Sequence, residues 1–253
     1  MYNIIIRYYE ELNDFLHQGK RKQDIPFSFA GRRSVKDLIE SMGVPHVEVD
    51  LILVNGVSVD FNYIVKDGDR ISVYPVFESL DISGATRLRP SPLRDTKFIL
   101  DVHLRKLARR MRLLGFDTDY EEHRDDDILA DISERENRIL LTCDRQLLMR
   151  KIVTRGIIIR SRNPEEQIIE VIKRLQLRNF ISPFTRCIEC NGLISGDISD
   201  SPEFESLKNR IPPGVIVWCP EFYRCTSCGK IYWRGSHYDK LKEKVGRIMR
   251  SLG

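Results

Sequence analysis

Three sets of side chains have types and spacings that can do chemistry. The first is acidic: Asp101, the pair Asp126-Asp127, and Asp144. Asp101 ends the apolar run KFILD, Asp144 ends RILLTCD, and Asp126-Asp127 stand before ILADISERE. In a parallel sheet all strand C-termini share one edge, where open α/β sheets place ligands. Asp101 and Asp144 are expected at that edge, with the Asp126-Asp127 pair nearby. Crowded carboxylates repel one another unless a cation neutralises them. Mg²⁺ and Mn²⁺ prefer oxygen ligands, and such ions activate water and stabilise the charge that develops in phosphodiester cleavage. Taken singly, each aspartate is also an ordinary helix N-cap. Their coordinated placement is what favours a shared metal site.

The second set is Cys187, Cys190, Cys225 and Cys228, two C-x2-C pairs. Thiolates at that spacing suit a closed, tetrahedral, structural Zn²⁺ site. Cys219 lies near the second pair, but its spacing argues against ligation. Cys143, inside an expected strand, reads as a core residue. The third set is basic: Arg105, Lys106, Arg109, Arg110 and Arg112 follow Asp101 directly. Such a cluster beside an acidic metal site suits a polyanionic substrate, because phosphates supply much of the binding energy. The plainer reading is a solvated helix face. His103 and His237 read as structural or phosphate-touching groups, not as catalysts.

The elements that must position these residues follow from hydrophobic periodicity. From Lys97 short apolar strands alternate with amphipathic helices, which implies an α/β fold with a parallel sheet covered on both faces. Leu104, Leu107, Ala108, Met111 and Leu114 form one apolar helix face, with the arginines and Lys106 on the others. Asn163-Pro164-Glu165-Glu166 opens a further helix, with Asn as cap and Pro at its first position. Upstream, YNIIIRY and IPFSFA read as strands, Ser34 caps a helix ending at Gly43, and Asn55-Gly56 marks a hairpin. Strand RISVYPV closes a ubiquitin-like, α+β β-grasp module over 1–80. Without a free terminal Gly-Gly, this module reads as a binding or scaffolding domain before a sulfur carrier. A Pro- and Arg-containing basic linker is expected at 81–96, the α/β domain at 97–180, and a zinc ribbon with a basic helical tail at 181–253.

The net charge of +4 is too small to imply nucleic acid by itself. No apolar run reaches the roughly 20 residues that span a bilayer, so no membrane association is expected. Residues 1–20 lack the pattern of a secretory signal, and the cysteines are not spread as a disulfide framework. A cytoplasmic protein is expected.

Several separate segments carry a resemblance. FILDVHLRKLARRMRLLGFDT, RILLTCDRQLL, PFTRCIECNGLI and IYWRGSHY resemble the Mut seven-C ribonuclease family, a PIN-like nuclease domain fused to a zinc ribbon. SVKDLIESMGVPHVEVDLILVNGVSVDF and DGDRISVYPVFES resemble the ubiquitin-like domain that precedes it in many members. The resemblance implies a PIN-like fold, a catalytic Mg²⁺ or Mn²⁺ site and RNA cleavage. By position, Asp101, Asp126 and Asp144 match the family's acids, with Asp127 sharing the part of Asp126, and the four cysteines match its zinc ligands. Two positions depart from the pattern: Cys143 stands where arginine is usual, and Arg105 where glycine is usual. No fourth acid is evident, and Asn163 occupies the region where one would be sought. A non-catalytic RNA-binding or adaptor protein is the main rival. A haloacid-dehalogenase-type phosphatase is disfavoured by His103, which stands where a second aspartate is needed. A receiver-like phospho-acceptor is disfavoured by the zinc module. The β-grasp module is expected to bind a protein partner or orient substrate.

Overall fold

The computed structural model describes residues 1–75 and 96–253. The expected linker at 81–96, Thr96 apart, and the end of the first module lie outside the described residues. The N-terminal module comprises β1 (Tyr2–Tyr8), β2 (Ile25–Phe29), α1 (Val35–Ser41), β3 (Val49–Val54), β4 (Val57–Ser58) and β5 (Arg70–Pro75). Its sheet has the order β2-β1-β5-β3-β4, with β1 and β5 parallel and the other pairs antiparallel. Alternation along β1 buries Ile4, Ile6 and Tyr8, and α1 buries Val35, Leu38 and Ile39. The Ser34 hydroxyl accepts from the Asp37 amide at 3.1 Å, which caps α1 as its sequence suggests. Asn55 and Gly56 both have positive φ, 51° and 83°, as a two-residue hairpin turn requires. This is the β-grasp arrangement expected from the sequence.

The chain continues with β6 (Lys97–Leu100), α2 (Arg105–Leu113), β7 (Asp117–Asp119), α3 (Asp126–Arg135), β8 (Ile139–Thr142), α4 (Arg145–Leu148), β9 (Gly156–Ile158) and α5 (Pro164–Arg174). After these come β10 (Ile194–Asp197), α6 (Pro202–Leu207), α7 (Pro213–Trp218), β11 (Phe222–Cys225), β12 (Ile231–Trp233) and α8 (Ser236–Ser251). The described residues form two compact units that interleave along the chain. One takes those of Met1–Thr96 with Arg124–Ile158; the other takes Lys97–His123 with Ile159–Gly253.

In the first unit β8 and β9 pair in parallel, with Thr142 beside Ile158. The β-grasp module is joined to this pair by buried polar contacts. Glu48, 1 % exposed, accepts from the Ile158 amide at 2.8 Å. His46 Nε2 donates to the Val153 carbonyl at 3.0 Å, and its Nδ1 lies 2.7 Å from Glu40. A buried carboxylate on an edge-strand amide satisfies a donor that would otherwise be orphaned.

In the second unit β6 and β7 pair in parallel, with Ile99 beside Asp119. The antiparallel sheet β10-β11-β12 carries the ribbon. Leu104, Leu107, Ala108, Met111 and Leu114 are buried, as the periodicity predicts, and Leu113 is buried besides. Gly115, at φ 94°, ends the helix, and a Cβ there would collide with the Ser182 carbonyl. The stretch between the two cysteine pairs is more than a polar insert. Its helices α6 and α7 enclose a small core of Phe204, Leu207, Ile211, Cys219, Phe222 and Ile231.

Candidate functional site

The cysteine quartet is built from two knuckles with the same backbone pattern. In the first, the Cys187 amide donates to the Gly192 carbonyl at 2.7 Å and the Asn191 amide donates to the Cys187 carbonyl at 3.0 Å. In the second, the Cys225 amide donates to the Lys230 carbonyl at 2.9 Å and the Gly229 amide to the Cys225 carbonyl at 3.1 Å. Asn191 and Gly229 occupy equivalent positions with φ of 70° and 69°, the left-handed conformation that asparagine and glycine tolerate best. Gly192 is required for a second reason: a Cβ would meet the Ser227 side chain and lie 2.9 Å from the Cys225 sulfur.

The four Sγ atoms lie within 4.8 Å of one another. Cys187 and Cys228 are 3.7 Å apart, and Cys190 and Cys225 are 3.4 Å apart. A Zn–S bond of about 2.3 Å sets an edge of about 3.8 Å for a ZnS₄ tetrahedron. The quartet therefore fits zinc, with both pairs oriented before any ion arrives. Among the described residues it is the one group of three or more His, Cys, Asp or Glu side chains whose ligand atoms converge in this way. Burial pushes the Cys190 thiol up to about 12, and the neighbouring thiols add to the shift. Burial also opposes ionisation of Cys225, but the amides of Cys228 and Ser227 outweigh it and bring that thiol down to about 7. Cys219 is buried in the small core with Sγ against the Glu221 carbonyl at 3.3 Å, apart from the quartet.

Arg112 departs from the expectation of an exposed basic residue. It is 4 % exposed and donates to the carbonyls of Thr118 at 2.9 Å, Glu189 at 2.6 Å, Ile188 at 3.3 Å and Tyr120 at 3.4 Å. Burial lowers its pKa, and the charges of Asp119, Cys190 and Cys187 act against that shift. The guanidinium thus joins α2, β7 and the first knuckle. Asn191 completes the joint: its Oδ1 accepts from the Thr118 amide and its Nδ2 donates to Asp117, both at 2.9 Å. Of the remaining basic set, Arg105, Lys106 and Arg109 are exposed and Arg110 is half-buried. Arg105 pairs with Glu122 at 2.9 Å, Arg109 with Glu189 at 2.8 Å, and Arg110 with Glu165 at 4.0 Å.

The aspartates are placed on both units. Asp101, 5 % exposed, follows β6 and accepts from the His103 amide at 3.4 Å, capping a 3₁₀ turn over Val102–Leu104 that precedes α2. The β6–β7 register brings Asp119, Tyr120 and Glu122 to the same end of this strand pair. The Tyr120 hydroxyl donates to the Val102 carbonyl at 2.9 Å. Its pKa is raised by burial first, then by Glu122 and Asp101. Sequence reasoning misses these neighbours, because a three-residue strand such as β7 leaves almost no periodic signal.

In the first unit Asp144 follows β8 and accepts from the Gln146 amide at 2.7 Å, so it caps α4. A short loop carries α3 back into β8, which sets the N-terminus of α3 at the C-terminal end of β8. Asp126, Asp127 and Asp144 are all exposed, and among the described residues the aspartates do not converge as the four sulfurs do. Asp125, not the expected pair, is the N-cap residue of α3; Asp126 and Asp127 are its first helical residues, where negative charge favours the helix dipole. Asp127 forms an ion pair with Arg150. Cys143 is also a correction: β8 ends at Thr142, and Cys143 is exposed beyond it, not in the core. Asn163 accepts from the Glu165 amide at 2.9 Å as the cap of α5, the role its sequence suggests. His103 is exposed in the first turn after Asp101, and His237 stands in the first turn of α8.

The described helices include none long and apolar enough to cross a membrane. A family model described as Mut7-C RNAse domain matches residues 96–245, and a second, described as Mut7-C ubiquitin, matches residues 1–81. No curated protein and no solved structure matches the chain.

Proposed function

The chain belongs to the Mut7-C RNase family, and on that premise we propose that it is a metal-dependent ribonuclease hydrolysing RNA phosphodiester bonds. The observation that carries this reading is the family match over 96–245, a span that includes every candidate acid and all four cysteines. The α/β part is read as a PIN-like domain at 97–180, between a linker at 81–96 and a zinc ribbon with its tail at 181–253; the β-grasp module is assigned 1–80. Asp101, Asp126 and Asp144 would hold Mg²⁺ or Mn²⁺, with Asp127 as an alternative to Asp126. When bound, such an ion acidifies water and stabilises the charge of phosphoryl displacement.

The chain's own residues supply the rest. Asp101 and Asp144 stand at strand ends, and their oxygens are held by amides. Arg105, Lys106, Arg109 and Arg110 would hold the RNA backbone. The exposed ion pairs that Arg105 and Arg109 make with glutamates are worth little in water, so exchange for phosphate is inexpensive. Arg112 is left out of this set because its donors serve backbone carbonyls. The zinc-loaded quartet would fix the ribbon against β7 through Arg112 and Asn191. The β-grasp module, joined to β9 through Glu48, is assigned a role in orienting substrate or a protein partner. A cytoplasmic setting fits the proposal, because zinc-binding thiols stay reduced there.

One observation favours a second reading, a non-catalytic RNA-binding protein. Asp101 and Asp144 each serve as a cap, and Asp127 is paired with Arg150. Incubating single-stranded RNA with the zinc-loaded chain and Mn²⁺, beside Asp101→Asn, separates the two. Cleavage by the unaltered chain alone supports the enzyme; binding without cleavage supports the rival.

A further inference from the structure

The second unit contains a cavity of ≈ 660 Å³ that none of the proposed catalytic groups enters. Its walls come from the C-terminal half of α2, from α7, from the β11–β12 hairpin and from the start of α8. Six aromatic side chains line it: Phe184, Trp218, Tyr223, Tyr232, Trp233 and Tyr238. Trp218 is 56 % exposed and Phe184 packs against Tyr238 with ring centroids 4.8 Å apart. Gly235 lets the chain pass between the two indoles: a Cβ there would lie 3.2 Å from Trp218 Cη2 and 3.2 Å from Trp233 Nε1.

Four cations also line it, among aliphatic and small polar side chains. Arg109, Arg186, Lys230 and Arg234 face Glu189 as the one lining carboxylate among the described residues. Arg109 and Lys230 share Glu189 at 2.8 and 3.1 Å, Arg234 pairs with Glu221 at 3.1 Å, and Arg186 with Asp117 at 3.2 Å. Lys230 and Arg234 also lie over the rings of Tyr232 and Tyr223, each 5.8 Å from the centroid. Aromatic rings interleaved with cations are what recognises unpaired nucleotides: bases stack on the rings and phosphates meet the charges. A purely apolar ligand would use the rings and not the cations, and an acidic peptide the cations and not the rings.

We infer that this cavity is a binding site for unpaired nucleotides of a single RNA strand, with bases stacked at Trp218, Trp233 and Tyr238 and phosphates held by Arg109, Lys230 and Arg234. The inference rests on the RNA substrate proposed above and extends it to a second place on the molecule. Arg109 and Arg105 are one helical turn apart on the same face of α2. From Arg109 back to Asp101 the chain rises roughly 12 Å. A strand seated in the cavity would therefore continue along α2 past Arg105 toward Asp101. The quartet touches one lining side chain from behind: Cys187 Sγ lies 3.0 Å from the Tyr232 hydroxyl.

The chain contains two tryptophans, and both line this cavity. Intrinsic fluorescence is thus a direct probe. The test uses the full zinc-loaded chain carrying Asp101→Asn, titrated with oligoadenylate, with a duplex of equal length, and with AMP. A saturable change with the single strand, much weaker for duplex and AMP, is the expected result. Trp218→Ala should weaken binding by about 5- to 150-fold, the loss of one stacked base, and Trp218→Phe should recover most of it. Ultraviolet cross-linking of the oligomer to a chain with both tryptophans intact should map to the peptides carrying Trp218 or Tyr238, which keeps the test independent of how the variants fold. Unchanged fluorescence, cross-links confined elsewhere, or AMP binding as tightly as the strand overturns the inference. If RNA is cut while the indoles stay silent, this site fails and the ribonuclease proposal stands. If the cavity binds RNA and the unaltered chain never cuts it, the cavity stands and the ribonuclease proposal fails.

Discussion

The thiolate quartet and the aspartate edges invite comparison, since both have side chains of metal-ligating type. In the quartet every backbone device serves one purpose: two matching knuckles, two left-handed residues and Gly192 bring four sulfurs within 4.8 Å. At the edges the aspartates have a second occupation. Asp101 and Asp144 cap turns, and Asp127 pairs with Arg150. A structural site must be complete as the chain folds, because its ion is part of the folding free energy. A catalytic site must remain open to substrate and water. Caps and exposed ion pairs hold carboxylates in place at little cost until a cation competes for them.

The largest effect separating the two should come from the quartet. Cys225→Ser should abolish stoichiometric zinc and lower the melting temperature by roughly 10 °C or more, given losses of several kcal/mol; thermal unfolding with zinc analysis checks it. Arg112→Leu comes next. It strips the donors from four carbonyls and should destabilise the fold by about 3 kcal/mol in urea unfolding. A smaller effect sharpens the comparison at the other end. Asp144→Asn keeps an N-cap and should shift stability by less than about 0.5 kcal/mol while removing Mn²⁺-dependent cleavage; Asp144→Ala should lose cleavage and about 1 kcal/mol together. If Asp144→Asn left cleavage intact, the cap would be the whole role of Asp144. The smallest change is expected from Arg105→Ala. Its exposed pair with Glu122 contributes at most about 0.5 kcal/mol, yet the salt dependence of RNA binding should flatten by about one charge.

The sequence is legible where a local rule has a single structural outcome. Ser34 and Asn163 cap their helices, Asn55-Gly56 turns the hairpin, and the two C-x2-C pairs converge. It is silent where long-range packing decides. Between β1 and β2, Leu12, Phe15 and Leu16 are buried in and beside short 3₁₀ turns that leave no period. Arg112 reads as exposed because charge usually is, and only the carbonyls of Thr118, Tyr120, Ile188 and Glu189 make burial tolerable. Cys143 reads as core because it adjoins an apolar run, but the strand stops one residue earlier. At the candidate site the positions of the aspartates can be read from the apolar runs beside them. Their hydrogen bonds, and the neighbours Tyr120 and Glu122, cannot.

The most direct test of the central claim is the rate of single-stranded RNA cleavage with Mn²⁺ by the zinc-loaded chain and by Asp101→Asn, at matched zinc content and melting temperature. Cleavage by the unaltered chain is expected, with a loss of ~100-fold or more in the variant, in keeping with several kcal/mol of metal-derived stabilisation. An unaltered chain that binds RNA without cutting it, or a variant that cuts equally fast, would contradict it.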